Sequence, residues 1–198
     1  MNAICASKME AVLLKQVVFL DRDGVINQDS PDYIKRWEDF IFLPNSLEAL
    51  KILTRKGYTL IVITNQSIIH RQWVLPEVLE EMHRRLKSTV ASHGGRITDI
   101  FICPHTPEQG CSCRKPKPGL IQQACQKYAI DLSDAIMVGD SAKDILCGKA
   151  AGCGRTILVR TANDPTGGIM AQDALALDNV YPTAVVADLL EAARWIIS

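Results

Sequence analysis

The stretch VVFLDRDGVIN (17–27) decides how this chain is read. Four apolar residues run directly into Asp21, Arg22, Asp23 and Gly24. A run that is apolar throughout, with no polar alternation, suits a strand covered on both faces, as in a parallel sheet. Strands have a period of two, so Asp21 and Asp23 would share one face if the strand continued. Two carboxylates held that close raise each other's pKa. A fold tolerates such a pair when a cation lies between them, or when one must stay protonated to work as an acid. Either arrangement points to chemistry rather than packing.

Working outward, TLIVIT (59–64), DIFIC (99–103), AIMVGD (135–140) and TILVR (156–160) are further strand candidates. Amphipathic segments separate them. One helix is expected from Asn45, whose side chain can cap it, to about Lys56, with Gly57 ending it. Pro76 opens a second, closed by Gly94 and Gly95. Residues 119–129 and 142–152 read as two more, and AVVADLLEAARWII (184–197) as a closing helix. This alternation predicts an α/β fold of the Rossmann-like kind, a parallel central sheet with helices on both faces. Such sheets gather their sites at the carboxyl ends of the strands. Residues 161–183 are the least regular and read as a surface excursion.

Bulk properties exclude several classes. The 198 residues are 47% hydrophobic and 22% charged, with zero formal net charge. That is enough for one domain with a core, and it does not suit a disordered chain or a nucleic-acid-coating surface. No apolar run is long enough to cross a bilayer. Residues 1–16 read as an extension before a single domain over 17–198. Glu10 and Lys15 interrupt their only apolar patch, so they make a poor signal peptide. Seven cysteines, an odd number, argue against a disulfide framework and for a reducing, cytoplasmic setting. The neutral surface suggests no macromolecular partner, and a monomer is expected. His70 reads as an exposed loop residue, Trp73 as packing, and His83 as part of a charged helix without a role.

The residues just beyond each strand carry the chemistry. Asp21 and Asp23 come after the first; Thr64, Asn65, Gln66 and Ser67 stand at the end of the second; Gly139, Asp140 and Ser141 stand at the end of the fourth, with Asp144 one turn on. The segment CRKPKPG between the third and fourth carries Arg114, Lys115 and Lys117. A parallel sheet would bring all of them to one edge. Carboxylates of this kind favour Mg²⁺. A lysine and a threonine hydroxyl can hold phosphoryl oxygens. Asp21 can attack phosphorus, and Asp23 can protonate the leaving oxygen and later deprotonate water. A lone Asp at a strand end is usually a turn or cap residue; the whole set defeats that bland reading.

A second signal is CPHTPEQGCSCRKPKPG. Cys103, His105, Cys111 and Cys113 make C-x-H-x5-C-x-C, a ligand set for a closed, tetrahedral, structural Zn²⁺ site within the loop 103–113. The metal would fix a Pro- and Gly-containing loop that delivers Arg114 and Lys115.

FLDRDGVIN, ITNQS, the lysine of RKPKPG and VGDSAKD together resemble the four motifs of the haloacid dehalogenase (HAD) superfamily of phosphatases, in order. The resemblance implies that Asp21 is the nucleophile and Asp23 the general acid and base. It implies that Asp21, the backbone carbonyl of Asp23, and Asp140 hold Mg²⁺, that Thr64 and Lys115 bind the phosphoryl group, and that Asp144 supports the metal site. The zinc loop is similar to that of the heptose 1,7-bisphosphate 7-phosphatases and their histidinol-phosphate phosphatase relatives. That likeness covers nearly the whole chain from Val17. It implies a minimal cap or none, a phosphorylated sugar as substrate, Arg114 recognising it beyond the reacting phosphate, and Asn27 with residues 29–33, Asp29 and Tyr33 among them, lining the pocket mouth. Asn65, Gln66, Ser67 and Arg71 join this expected substrate set. After TNQS those enzymes typically read G-I-A-R-G, whereas this chain reads Ile68, Ile69, His70, Arg71, Gln72. The loss of both glycines predicts a reshaped loop. The alternatives are a histidinol-phosphate or other small-monoester phosphatase, and, from another class, an inactive zinc-stabilised binding protein.

Overall fold

The computed structural model describes residues 13–14, 16–160, 169–177 and 179–198. Six strands make one wholly parallel sheet: β2 (Val17–Leu20), β3 (Thr59–Asn65), β4 (Ile97–Cys103), β6 (Ile136–Gly139), β7 (Arg155–Val159) and β8 (Ala184–Val186). Their order is β4-β3-β2-β6-β7-β8. The chain steps outward on one side of β2, then returns to build the other side. The strand carrying DRDG is therefore central, at the point where connections diverge and a crevice opens.

Alternate residues of each strand feed opposite layers. Val18, Leu20, Leu60, Val62, Ile136 and Val138 pack with α1 (Ser46–Arg55), α2 (Pro76–Ser92) and α6 (Leu189–Ile197). Val17, Phe19, Ile61, Ile63 and Met137 pack with α3 (Gly119–Lys127) and with Cys147 of α4 (Ala142–Ala151). All eleven strand side chains are fully buried. Two covered faces explain why these strands lack polar alternation. Among the described residues no helix is long and apolar enough to cross a membrane.

The structure departs from the sequence reading at several element ends. Ala184–Val186 is not the start of the closing helix but the edge strand β8. The helix begins after Asp188, whose side chain accepts a hydrogen bond from the Glu191 N–H at 2.7 Å. The β-branched pair thus goes to the sheet, and the first good cap starts the helix. Asn45 precedes α1 but does not cap it through its side chain; it has φ 63° and donates to Asp188 at 3.4 Å. The helix over 119–129 ends at Lys127, because Ala129 and Ile130 form β5 (Ala129–Ile130) and pair with β1 (Leu13–Leu14). The stretch read as an irregular excursion contains α5 (Ile169–Leu177); the rest of that expectation over 161–168 and 178, and the extension over 1–12 and 15, lie outside the described residues. Between β2 and α1 an excursion stacks Trp37, Phe40 and Phe42, with adjacent rings 5.1–6.3 Å apart. Asp29, Ser30, Pro31, Tyr33 and Ile34 of the same excursion make one wall of the crevice.

Candidate active site

A cavity of about 380 Å³ opens at the carboxyl ends of β2, β3 and β6. Asp21, Asp23, Thr64, Asn65, Gln66, Arg114, Lys115 and Asp140 line it from the sheet side, and Asp29 and Tyr33 from the wall.

Lys115 is the hub. Its ammonium is 2.7 Å from Asp21 Oδ1 and 2.6 Å from Asp144 Oδ1, and it donates to the Ile63 carbonyl at 3.0 Å. All three N–H groups are thus taken. Burial alone would strip its charge; the carboxylates of Asp144 and Asp21 reverse this and hold the pKa above the ordinary lysine value. The segment is anchored by Asn65, whose Oδ1 accepts from the Lys115 N–H at 3.1 Å and whose Nδ2 donates to the Lys115 carbonyl at 3.3 Å. Asp144 is fully buried, and its Oδ2 accepts from the Ser141 N–H and Oγ at 3.1 and 2.6 Å. It supports Lys115 and the start of α4. Gly139 makes this approach possible, because a Cβ there would overlap the Asp144 side chain.

Oxygens of Asp21, Asp140 and Asp144 lie within 4.8 Å of one another. Burial, with Asp144 adding to it and Lys115 opposing, pushes Asp21 up to about 7. Burial and the charges of Asp144 and Asp21 push Asp140 up to about 9. Asp144 is spent on Lys115 and Ser141, so Asp21 and Asp140 are the carboxylates left to a divalent cation. Crowded, buried acids of this kind are ones a divalent cation would hold ionised, and an oxygen-only donor set of this size suits Mg²⁺.

Asp23 stands apart electrostatically. Burial would raise its pKa, but Arg22, with hydrogen bonds from Asn27 and Gln66, holds it below the ordinary carboxylate value. Arg22 reaches both of its oxygens, at 2.8 and 2.9 Å. Asn27 donates at 2.8 Å, and Gln66 donates at 2.7 Å to Asp23 and at 3.0 Å to Thr64.

Several expected substrate residues have other positions. Asn27 is fully buried beneath Asp23 and does not line the cavity. Ser67 is buried behind it as well. Arg71 is exposed outside it, its guanidinium 5.2 Å from the Trp73 ring centroid. Trp73 is half-exposed and meets Tyr33 edge-on at 5.1 Å. In the loop 68–72, Ile68 is buried without a positive φ, while Gln72 adopts φ 55°. Sequence reasoning misses Arg22 and His83. His83 lies 3.1 Å from Arg22, and burial and that cation push it down to about 3. The available signal is helical spacing: Leu79, Met82, His83, Leu86 and Val90 share one buried face of α2.

The Cys/His cluster assembles beside this site. Five of its six ligand-to-ligand distances fall between 3.2 and 3.6 Å, with His105 turned by Nδ1 toward Cys103 and Cys113. Tetrahedral zinc with ~2.3 Å bonds spaces sulfurs roughly 3.8 Å apart, close to this spacing. The cysteines are unbridged thiols. Arg114 leaves the cluster directly and donates to the His105 carbonyl at 3.0 Å.

A family model described as HAD-hydrolase-like matches residues 112–192. Over 147 residues the chain is 47% identical to the D-glycero-beta-D-manno-heptose-1,7-bisphosphate 7-phosphatase of Pseudomonas aeruginosa, covering 74% of this chain and 82% of that one. Over 176 residues it is 37% identical to the corresponding alpha-named 7-phosphatase of Photorhabdus laumondii, covering 84% and 93%. A crystal structure of D,D-heptose 1,7-bisphosphate phosphatase from B. bronchiseptica, complexed with magnesium and phosphate, superposes with a TM-score of 0.82 at 37% identity, covering 92% of this chain and 98% of that one. Fold, carboxylate edge and likeness together make this a HAD-type phosphatase, a phosphoric monoester hydrolase. Within that class the chain belongs to the heptose-1,7-bisphosphate 7-phosphatase family.

Proposed function

We propose that this enzyme removes the 7-phosphate of D-glycero-β-D-manno-heptose 1,7-bisphosphate through an aspartyl-phosphate on Asp21. The observation that carries the chemistry is the contact of Asp21 with Lys115 at 2.7 Å, beside Asp140 and with Asp23 on the same cavity wall. The β anomer is favoured because a beta-named relative reaches 47% identity where the alpha-named one reaches 37%. The cavity is near the low end of small-molecule sites, roughly 300–1,000 Å³, which suits one sugar rather than a polymer.

Asp21, Asp140 and the Asp23 carbonyl would hold Mg²⁺, which supplies a positive charge to the phosphoryl oxygens and keeps Asp21 ionised. Asp21 attacks phosphorus in line with the leaving oxygen. Lys115 turns one N–H from Asp21 toward a phosphoryl oxygen, and the Thr64 hydroxyl takes another. The negative charge of the arriving phosphate raises the proton affinity of Asp23, which then hands its proton to the sugar oxygen as that bond breaks. In the second step the Asp23 carboxylate takes a proton from water, and the water splits the acyl phosphate. Asn27, Gln66 and Asn65 hold these groups in place. A structural Zn²⁺ on Cys103, His105, Cys111 and Cys113 would fix the loop from which Arg114 reaches the far end of the sugar.

The test is phosphate release with Mg²⁺ from both anomers of heptose 1,7-bisphosphate, fructose 1,6-bisphosphate, histidinol phosphate and an aryl phosphate. A preference of several hundred-fold in kcat/KM for the β anomer, ~3–4 kcal/mol, is expected. A flat profile would remove the sugar assignment and leave the phosphatase.

A further inference from the structure

One buried cluster is unused by this chemistry: Arg22, Met82 and His83, underneath Asp23. Arg22 is 1% exposed, deeper than any ordinary surface arginine. Each N–H of its guanidinium has an acceptor nearby. Nε reaches Asp23 Oδ1 at 3.0 Å, and Nη2 reaches Oδ1 at 2.8 Å and Oδ2 at 2.9 Å. Nη1 reaches His83 Nε2 at 3.1 Å and Met82 Sδ at 3.9 Å. The Phe40 ring packs 5.7 Å from its Cζ. Guanidinium nitrogens only donate, so His83 Nε2 must offer its lone pair, and the neutral ring carries its proton on Nδ1. A buried charge is tolerable only when its donors are satisfied. Asp23 satisfies one edge of Arg22, and α2 satisfies the other.

We infer that His83 is a positioning residue for the general acid: by accepting from Nη1 it fixes the Arg22 fork, which in turn fixes the Asp23 carboxylate at the cavity wall. The inference rests on the reading of Asp23 as the acid. When Asp21 attacks, the bond from phosphorus to the leaving oxygen breaks and that oxygen takes the Asp23 proton. A sugar alkoxide needs the proton; a nitrophenolate leaves without it. Loss of the His83 acceptor frees one edge of the fork and lets Asp23 drift, so it penalises sugar esters selectively.

The experiment uses the full chain with Mg²⁺ and compares His83→Leu with His83→Gln, which keeps an acceptor oxygen. kcat/KM is measured on heptose 1,7-bisphosphate and on p-nitrophenyl phosphate; for both it runs only to departure of the leaving group. For His83→Leu the sugar ester is expected to fall about tenfold or more and the aryl ester no more than about twofold, with His83→Gln recovering most of the loss. Parallel losses on both esters, no loss on either, or no recovery by Gln would overturn the inference. Should His83→Leu fail to fold by circular dichroism, His83→Met makes the same comparison. An Asp23→Asn variant that still hydrolyses the sugar ester at the wild-type rate would sink the Asp23 reading instead, so the two failures are distinct.

Discussion

Two clusters of like groups sit a few residues apart, and they solve crowding differently. At the sheet edge the carboxylates of Asp21 and Asp144 share the buried Lys115 ammonium, and Asp23 has Arg22. The protein brings its own cations there. From the end of β4 onward, the thiols of Cys103, Cys111 and Cys113 and the His105 ring meet one another, while the nearby cations of Arg114 and Lys117 reach only the backbone carbonyls of His105, Gly110 and Cys111. Burial, then Cys113, pushes the Cys103 thiol up to about 12. The first cluster holds its geometry before any metal arrives and suits an exchangeable catalytic ion. In the second the ligand atoms are thiols and an imidazole facing one another, a donor set that suits a structural ion.

The sharpest way to separate the clusters is Asp21→Asn. Turnover of every ester should fall about ten-thousandfold, ~5 kcal/mol, while elemental analysis still finds about one zinc per chain. Residual turnover near wild type would end the aspartyl-phosphate mechanism. Lys115→Met comes next. It strands two buried carboxylates, and unfolding in urea should show a loss of about 3–5 kcal/mol, partly restored by Mg²⁺. A neutral result would mean that the internal cation is not what holds the sheet edge. Cys113→Ser should release the zinc, lower the melting temperature and cost about tenfold in kcat/KM as Arg114 loses its base. Zinc absent from wild-type protein prepared without chelator would break the comparison outright.

A smaller effect comes from protons. Asp21 and Asp140 rise from 3.8 to about 7 and about 9. An acid whose pKa is higher in the fold binds more protons folded than unfolded, so the metal-free protein loses stability as pH climbs from about 4 toward 9. Mg²⁺ must expel those protons, so its affinity should rise over the same range. Calorimetry in two buffers of different ionisation heat would show proton release near pH 7. An uptake independent of buffer would mean that these two carboxylates do not receive the ion.

Much of the site is legible because the signal lies in single short segments. A central buried strand must read as an apolar run, and the residues at its carboxyl end fall at the sheet edge, so Asp21, Thr64 and Asp140 come together without coordinates. Arg22 and His83 are hidden for a physical reason. Their meeting joins the turn after β2 to α2, and no local pattern records a contact across sixty-one positions. Asn27 and Ser67 read as substrate residues because short polar side chains beside a site look alike whether they face the ligand or brace a carboxylate. The Ala184–Val186 strand is lost to a sequence reading because a few β-branched residues before a long amphipathic run are easily counted into the helix.

The loop between β3 and α2 offers the finest test. Gln72 holds φ 55°, and its N–H donates to the Ile69 carbonyl at 3.0 Å, so the turn is made despite the side chain. A left-handed conformation costs a non-glycine residue roughly 1–2 kcal/mol, while glycine gives back about 0.4–1 kcal/mol through the freedom of the unfolded chain. Gln72→Gly should therefore stabilise by about 0.5–1 kcal/mol in urea. Arg71 and Trp73 flank the turn outside the cavity, so kcat/KM for the sugar ester should move less than about twofold. A larger change in activity than in stability would show that the side chain at this turn tunes the pocket mouth.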